Sequence, residues 1–216
     1  MKTKAPASQQ QASNQITEGV IWKQLLIFFF PILFGTFFQQ LYNTADAIIV
    51  GNFVGKEALA SVGGPASTII NLLVGFFVGL SSGATVVISQ HYGGGDDQKV
   101  SDSVHTSIAL AIAGGAVMMG LGLASARFAL SAMATPSDIM EPSLTYMRIY
   151  YLGIIPSMIY NMGSGILRAV GDSKRPLYFL IAACLVNIAL DLILVAGLDL
   201  GVAGAAIATI MSQLIS

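Results

Sequence analysis

At positions 186–194 the chain reads VNIALDLIL, a run that would sit comfortably in hydrocarbon except for Asp191 in its middle. Asn187 lies four residues earlier and so shares a helical face with that acid. A second acid, Asp46, occurs inside LYNTADAIIV at 41–50. Upstream of it, Thr36, Gln39, Gln40 and Asn43 recur at three- and four-residue steps, which lays five polar groups along one side of a helix. Such a face is costly against lipid, so it is expected to line a bundle interior or a water-filled cavity. A polar packing seam, with the acids near the membrane interface, is the competing explanation. Recurrence of the pattern on two helices at similar depth weighs against it, because ionisable groups inside a span by default mark ion or substrate pathways. Two carboxylates facing one poorly hydrated cavity repel each other and call for a neutralising proton or cation. Amide, hydroxyl and carboxylate oxygens suit a hard cation, so Asp46, Asn187 and Asp191 are also candidate Na⁺ ligands.

The elements that hold these residues must be membrane helices. Of 216 residues, 55% are hydrophobic and 10% charged, against about 25% charged in soluble domains. The mean hydropathy is +0.75. A chain with so few charges has no soluble surface to offer, and the fold class expected is an all-α membrane protein. The net charge of −1 and the lack of a basic tract argue against nucleic acid.

Enzyme chemistry finds little footing. Cys184 is the single cysteine, and His91 and His105 form no metal-ligand pair. GGGDD after Tyr92 lacks the GK[ST] ending of a phosphate loop and reads as a tight turn. An intramembrane aspartyl protease would also need two membrane carboxylates. Its GxGD signature is reduced here to AVGD, ending at Asp172 in a loop. No enzyme activity and no cofactor beyond a coupling ion, H⁺ or Na⁺, is expected.

A bilayer core requires about 20 apolar residues per helix. Residues 1–20 are polar and Gln-rich and are expected to form a disordered cytoplasmic tail. Residues 21–216 are expected to form one bundle of six transmembrane helices, over about 22–50, 58–90, 103–125, 143–168, 176–196 and 202–216. The last has about 15 residues, too few to span, so the sequence is read as stopping within its sixth helix. Lys2, Lys4, Lys23, Lys99, Arg168, Lys174 and Arg175 fall on one side of this arrangement, and only Lys56 and Arg127 on the other. That bias places the N-terminus in the cytoplasm of a multi-pass protein, here assigned to the plasma membrane. Gly75 with Gly79, Gly197 with Gly201, and the stripe Gly201, Gly204, Ala205 and Ala208 could let helices approach closely. Asn161 and Met158 on the fourth helix join Thr36 and Asn43 as candidates to line a substrate pathway.

Three stretches in order, QQLYNTADAIIVGNFVGKEALASVG, GLSSGATVVISQHYGGGD and GILRAVGDSKRP, resemble the multidrug and toxic compound extrusion (MATE) family. The resemblance runs from about Trp22 to the C-terminus. It implies an antiporter that expels cationic amphipathic compounds in exchange for H⁺ or Na⁺, built from twelve helices in two six-helix lobes. The family's cation-coupling residues in the first lobe match Asp46, with Gln39 before it, Asn187, Asp191, Tyr146 and Thr209. By this resemblance the chain is an N-terminal lobe whose partners are the bilayer, organic cation substrates and a missing C-terminal six-helix lobe. The alternative is a half-lobe that transports nothing and serves as a structural or regulatory membrane subunit.

Overall fold

The structure is a computed structural model that describes residues 21–216; the expected tail at 1–20 lies outside the described residues. The described residues are helical, with no strand among them. They form six rods. The first is α1 (Ile21–Phe53), whose 33 residues reach about 50 Å and continue through Pro31. The second is broken into α2 (Lys56–Gly63) and α3 (Pro65–Gly93). The third is α4 (Asp97–Ala132). The fourth is broken into α5 (Ser137–Leu152) and α6 (Ile154–Ala169). The fifth is α7 (Lys174–Asp191), extended by a π-helix over Leu192–Gly197. The sixth is α8 (Gly201–Ile215). Four of the rods, the first, second, third and fifth, are long and apolar enough to cross a membrane, and α8 is a shorter apolar helix.

The two breaks are the main departures from the continuous spans expected over about 58–90 and 143–168. Each has a local cause. Gly64 precedes Pro65, which occupies the first turn of α3, where its missing N–H costs nothing but where it bars the preceding residue from helical geometry. At Gly153 the side chain of Ile210 fills the space that a β-carbon would need, so α8 packs into the gap between α5 and α6. The helix ends are closed by acids. Asp96 Oδ1 accepts from Lys99 N at 3.1 Å at the start of α4. Asp172 Oδ1 accepts from Lys174 N and Arg175 N, both at 3.1 Å, at the start of α7. Lys99 Nζ, 2.9 Å from Asp96, together with that amide bond holds the Asp96 carboxyl below its usual range.

The rods pack with α1 along α7, α3 between α4 and α6, and α8 against α5 and α7. The core between them is built from small and medium side chains, among them Val50, Ala66, Phe77, Ala111, Met147 and Ala205. Close approach falls on α4, where Gly115 lies against Ile155 and Met158 and Gly122 against the ring of Tyr151. Of the small-residue motifs, the α8 stripe is buried at Gly204, Ala205 and Ala208. Gly75 and Gly79 are exposed and meet nothing, so that GxxxG pair joins no helices within this bundle. Trp22, Phe37, Phe76, Phe128 and Leu185 are more than half exposed, an arrangement that suits lipid and not water.

The turns at 94–96 and 170–173 share one end of the bundle, and the turn at 133–136 lies at the other. Cysteines replacing the exposed Lys174 and Ser137, in a Cys184→Ala background, should therefore react with an impermeant maleimide from opposite sides of the membrane. Labelling of both from one side would overturn this path of the chain.

Candidate functional site

Three rods carry the site's acids and amides inward. Asp46 is on the face of α1 that meets α7 and α8, and it is 7% exposed. Asn187 and Asp191 occupy the last turn and a half of α7, and both are 0% exposed. The carboxyl groups of Asp46 and Asp191 approach to hydrogen-bonding range of one another. Two carboxylates have no hydrogen to share, so Asp46 Oδ1 and both oxygens of Asp191 are buried without a donor.

The neighbourhood is equally short of partners. Asn187 leaves both Oδ1 and Nδ2 unbonded, and the buried hydroxyl of Tyr42 is also without a partner, although Thr209 and Ser212 lie beside it. Among the described residues, every buried side-chain nitrogen or oxygen that lacks a hydrogen bond belongs to Tyr42, Asp46, Asn187 or Asp191. Buried polar groups in folded proteins are bonded in the large majority of cases, so four such residues in one place make this the candidate site. What they offer is mainly oxygen: three from carboxylates, one amide and one phenol, with a single N–H₂ group opposite. That set can hold a proton between the acids or surround a small hard cation. No cluster of three or more His, Cys, Asp or Glu side chains is poised for a metal among the described residues.

Tyr146 is buried on α5 close to both acids, and its ring tilts against that of Tyr150 with centroids 6.4 Å apart. Thr209 on α8 is buried, but its hydroxyl is already used, donating to the Ala205 carbonyl at 3.0 Å. Its contribution is to stand beside Tyr42. Asp191 is the final α-helical residue before the π-helix, where the chain widens by one residue per turn. Leu198 N and Leu200 N reach back to Ile193 O and Leu194 O at 2.9 and 3.0 Å. Gly204 seats α8 against this segment, since a β-carbon there would lie 3.1 Å from the Leu194 carbonyl.

The structure thus brings Asp46, Asn187, Asp191, Tyr146 and Thr209 together. Gln39 stands apart: two turns before Asp46, it is exposed and lines a separate groove with Thr36 and Asn161. Asn43 is exposed on α1. Met158 is buried on α6 against Gly114 and Gly115 of α4, where it packs the two helices together. Asn161 spends its amide on the Ser157 carbonyl, at 2.8 Å. The site also holds Tyr42 and Ser212, which the sequence reading did not assign to the acid pair. Tyr42 lies one turn before Asp46, a spacing that could have marked it, whereas Ser212 needed the packing of α8.

Comparison with known proteins bears on the fold and the family. The MatE family model matches residues 31–193, well over half of the chain. The probable multidrug resistance protein YpnP of Bacillus subtilis is 32% identical over 202 residues, which cover 91% of this chain and 44% of that relative. A probable multidrug resistance protein NorM of Thermotoga maritima is 27% identical over 90% of this chain and 42% of its own length. Among solved structures, a transporter of the MOP superfamily from Pyrococcus furiosus superposes with a TM-score of 0.87 at 28% identity, over 94% of this chain and 44% of that one. The outward-facing form of a multidrug resistance MATE family transporter gives 0.84 at 26% identity, over 99% and 46%. The chain spans about half the length of the relatives it matches. Its apolar helices, its match to the family model and its likeness to these structures show that the chain belongs to the MATE family of multi-pass membrane transporters.

Proposed function

We propose that this lobe binds and releases the coupling cation, H⁺ or Na⁺, of an antiporter that exports cationic amphipathic compounds. The carrying observation is the pair of adjacent buried carboxyls, Asp46 and Asp191, within a shell of unbonded oxygens. Two like charges about 4 Å apart at an effective dielectric of about 20 repel by about 4 kcal/mol, several times thermal energy. The pair with both acids ionised therefore favours whatever conformation separates or hydrates them, and one bound cation reverses that preference. A bias of this size is enough to drive alternating access between two lobes about a central site. Asn187 and Tyr42 supply further oxygens to the cation, while Tyr146 and Thr209 wall the pair off from the rest of the bundle.

Export itself requires a second lobe, which the reading assigns to a C-terminal six-helix partner. Asn43 and the exposed ring of Phe37 are the groups on α1 that would face the compounds carried. The concentration of Lys and Arg at the turns beside α4 and α7 supports a cytoplasmic N-terminus, and export of this kind supports the plasma membrane. A purely structural role for the half-lobe would leave the buried acids without a purpose.

Reaction of the purified chain with a hydrophobic carbodiimide should modify Asp46 or Asp191, and added Na⁺ or lower pH should change the rate severalfold. Indifference of both acids to either ion would favour the structural role. Joined to a C-terminal lobe, Asp191→Asn should insert normally and lose gradient-driven efflux. Asp46→Asn should behave alike, and the double variant should be little worse than either, as for residues acting as a unit. Efflux at the unmodified level from Asp191→Asn would make that acid structural.

Asn187 separates function from folding. A buried amide without partners costs about 1–3 kcal/mol, so Asn187→Leu should raise the thermal midpoint of the purified chain while abolishing ion-dependent protection of the acids. A lowered midpoint would show that the amide holds the bundle together.

A further inference from the structure

Arg168 closes α6 at the basic end of the bundle and lines a groove of about 430 Å³ between α1, α3, α6 and α7. The groove has a fixed floor. Ser81 Oγ donates to the Asn161 carbonyl at 2.8 Å, and Gly165 lies so close to Ser81 that no β-carbon would fit between α3 and α6. It is the groove already met at Thr36 and Gln39: those two and Thr85 give it polar groups, and Ile32, Val78, Leu177 and Leu180 give it apolar walls.

The arginine is half-buried and oriented. Its Nε donates to the Ser164 carbonyl at 3.1 Å. No carboxylate pairs with it among the described residues, and the nearest acid in sequence, Asp172, is engaged by Arg175 at 3.1 Å and by two amides of α7. Of the five N–H donors on a guanidinium, the four on its terminal nitrogens meet no acceptor among the described residues, and they form a fork suited to a phosphate. A positive charge at the mouth repels the cationic compounds assigned to the export pathway, so the groove serves a ligand of the opposite sign. Apolar walls behind a cation describe an anion with a hydrocarbon tail, and a membrane supplies one in its charged leaflet. Lys174 and Arg175 stand at the same end and add to the attraction.

We propose that this groove is a binding site for an anionic phospholipid, whose phosphate rests on the terminal nitrogens of Arg168 and whose chain lies along Leu177 and Leu180. The site is separate from the acid pair and is independent of the export reading.

Native mass spectrometry of the purified 216-residue chain, offered phosphatidylglycerol and phosphatidylcholine in equal amounts, tests it. One phosphatidylglycerol should be retained with a preference of about tenfold or more, the ratio expected of a charge-assisted contact. Arg168→Gln should remove the preference, and Arg168→Lys should keep part of it, since the charge remains without the fork. Leu180→Trp, which fills the groove and leaves the charge, should remove retention. If Arg168→Gln loses its helical circular dichroism, Leu180→Trp carries the test alone. Equal retention of both lipids, or an undiminished preference in either Arg168→Gln or Leu180→Trp, would overturn the proposal. Displacement by glycerol 3-phosphate at the lipid's own concentration would also overturn it, by making the groove a site for soluble anions.

Discussion

Two carboxyl groups held side by side and out of water impose a demand that no neighbouring side chain meets. Asp46 and Asp191 reach each other only because α1 packs along α7, and they stay dry only because α5 and α8 close over them. Natural proteins remove such arrangements from their cores unless something else requires them, since an uncompensated buried charge is among the costlier features a fold can carry. The rest of the bundle is ordinary by comparison. Its core is apolar, its outward side chains are apolar, and its hydroxyls mostly donate to carbonyls one turn back, as Thr36, Thr44, Ser107 and Ser125 do. Among the described residues, the buried side-chain groups left without a hydrogen bond are confined to this one spot.

Much of this could be read from the chain alone. The acids declared themselves by contrast, because a carboxylate inside VNIALDLIL stands out against its apolar neighbours. The four-residue step from Asn187 to Asp191 put both on one face, and the structure buries both. The polar ladder on α1 was legible as a face but not as a depth. Thr36, Gln39, Gln40 and Asn43 share a side with Asp46, yet only Asp46 is buried, because α1 turns its outer part into the bundle and leaves the remainder exposed. Periodicity gives direction around a helix and says nothing about which stretch of it is covered. Met158 shows the converse case. A methionine among polar neighbours looks like a pathway residue until α4 is seen to present two glycines to it.

The breaks in the second and fourth rods were harder to foresee for a different reason. Hydropathy averages across a Gly–Pro pair or a lone glycine, so neither interruption shows in it. The Gly64–Pro65 break has a local signature. The Gly153 break does not, since its cause is Ile210 on another helix some 57 residues along the chain. Glycine in a membrane helix is common enough that no single one announces a bend. The π-helix after Asp191 belongs with these. It depends on α8 resting against Leu194 through Gly204, a contact that sequence spacing cannot report.

The placement of the two acids on the first and fifth rods has a consequence for synthesis. Ribosomes add about 5–20 residues per second, so Asp46 enters the membrane several seconds or more before Asp191, about 145 residues later, has been made. During that interval it must be tolerated alone. A carboxylate near the middle of an inserting helix costs about 2.5–3.5 kcal/mol, while each Leu, Ile, Phe or Val returns about 0.3–0.6. The long apolar approach IWKQLLIFFFPILFGTFF that precedes the acid, with no further charge after Lys23, is thus the ballast that carries α1 through insertion. The aromatic richness of that stretch has a cause in the order of events at the ribosome, quite apart from anything the finished lobe binds.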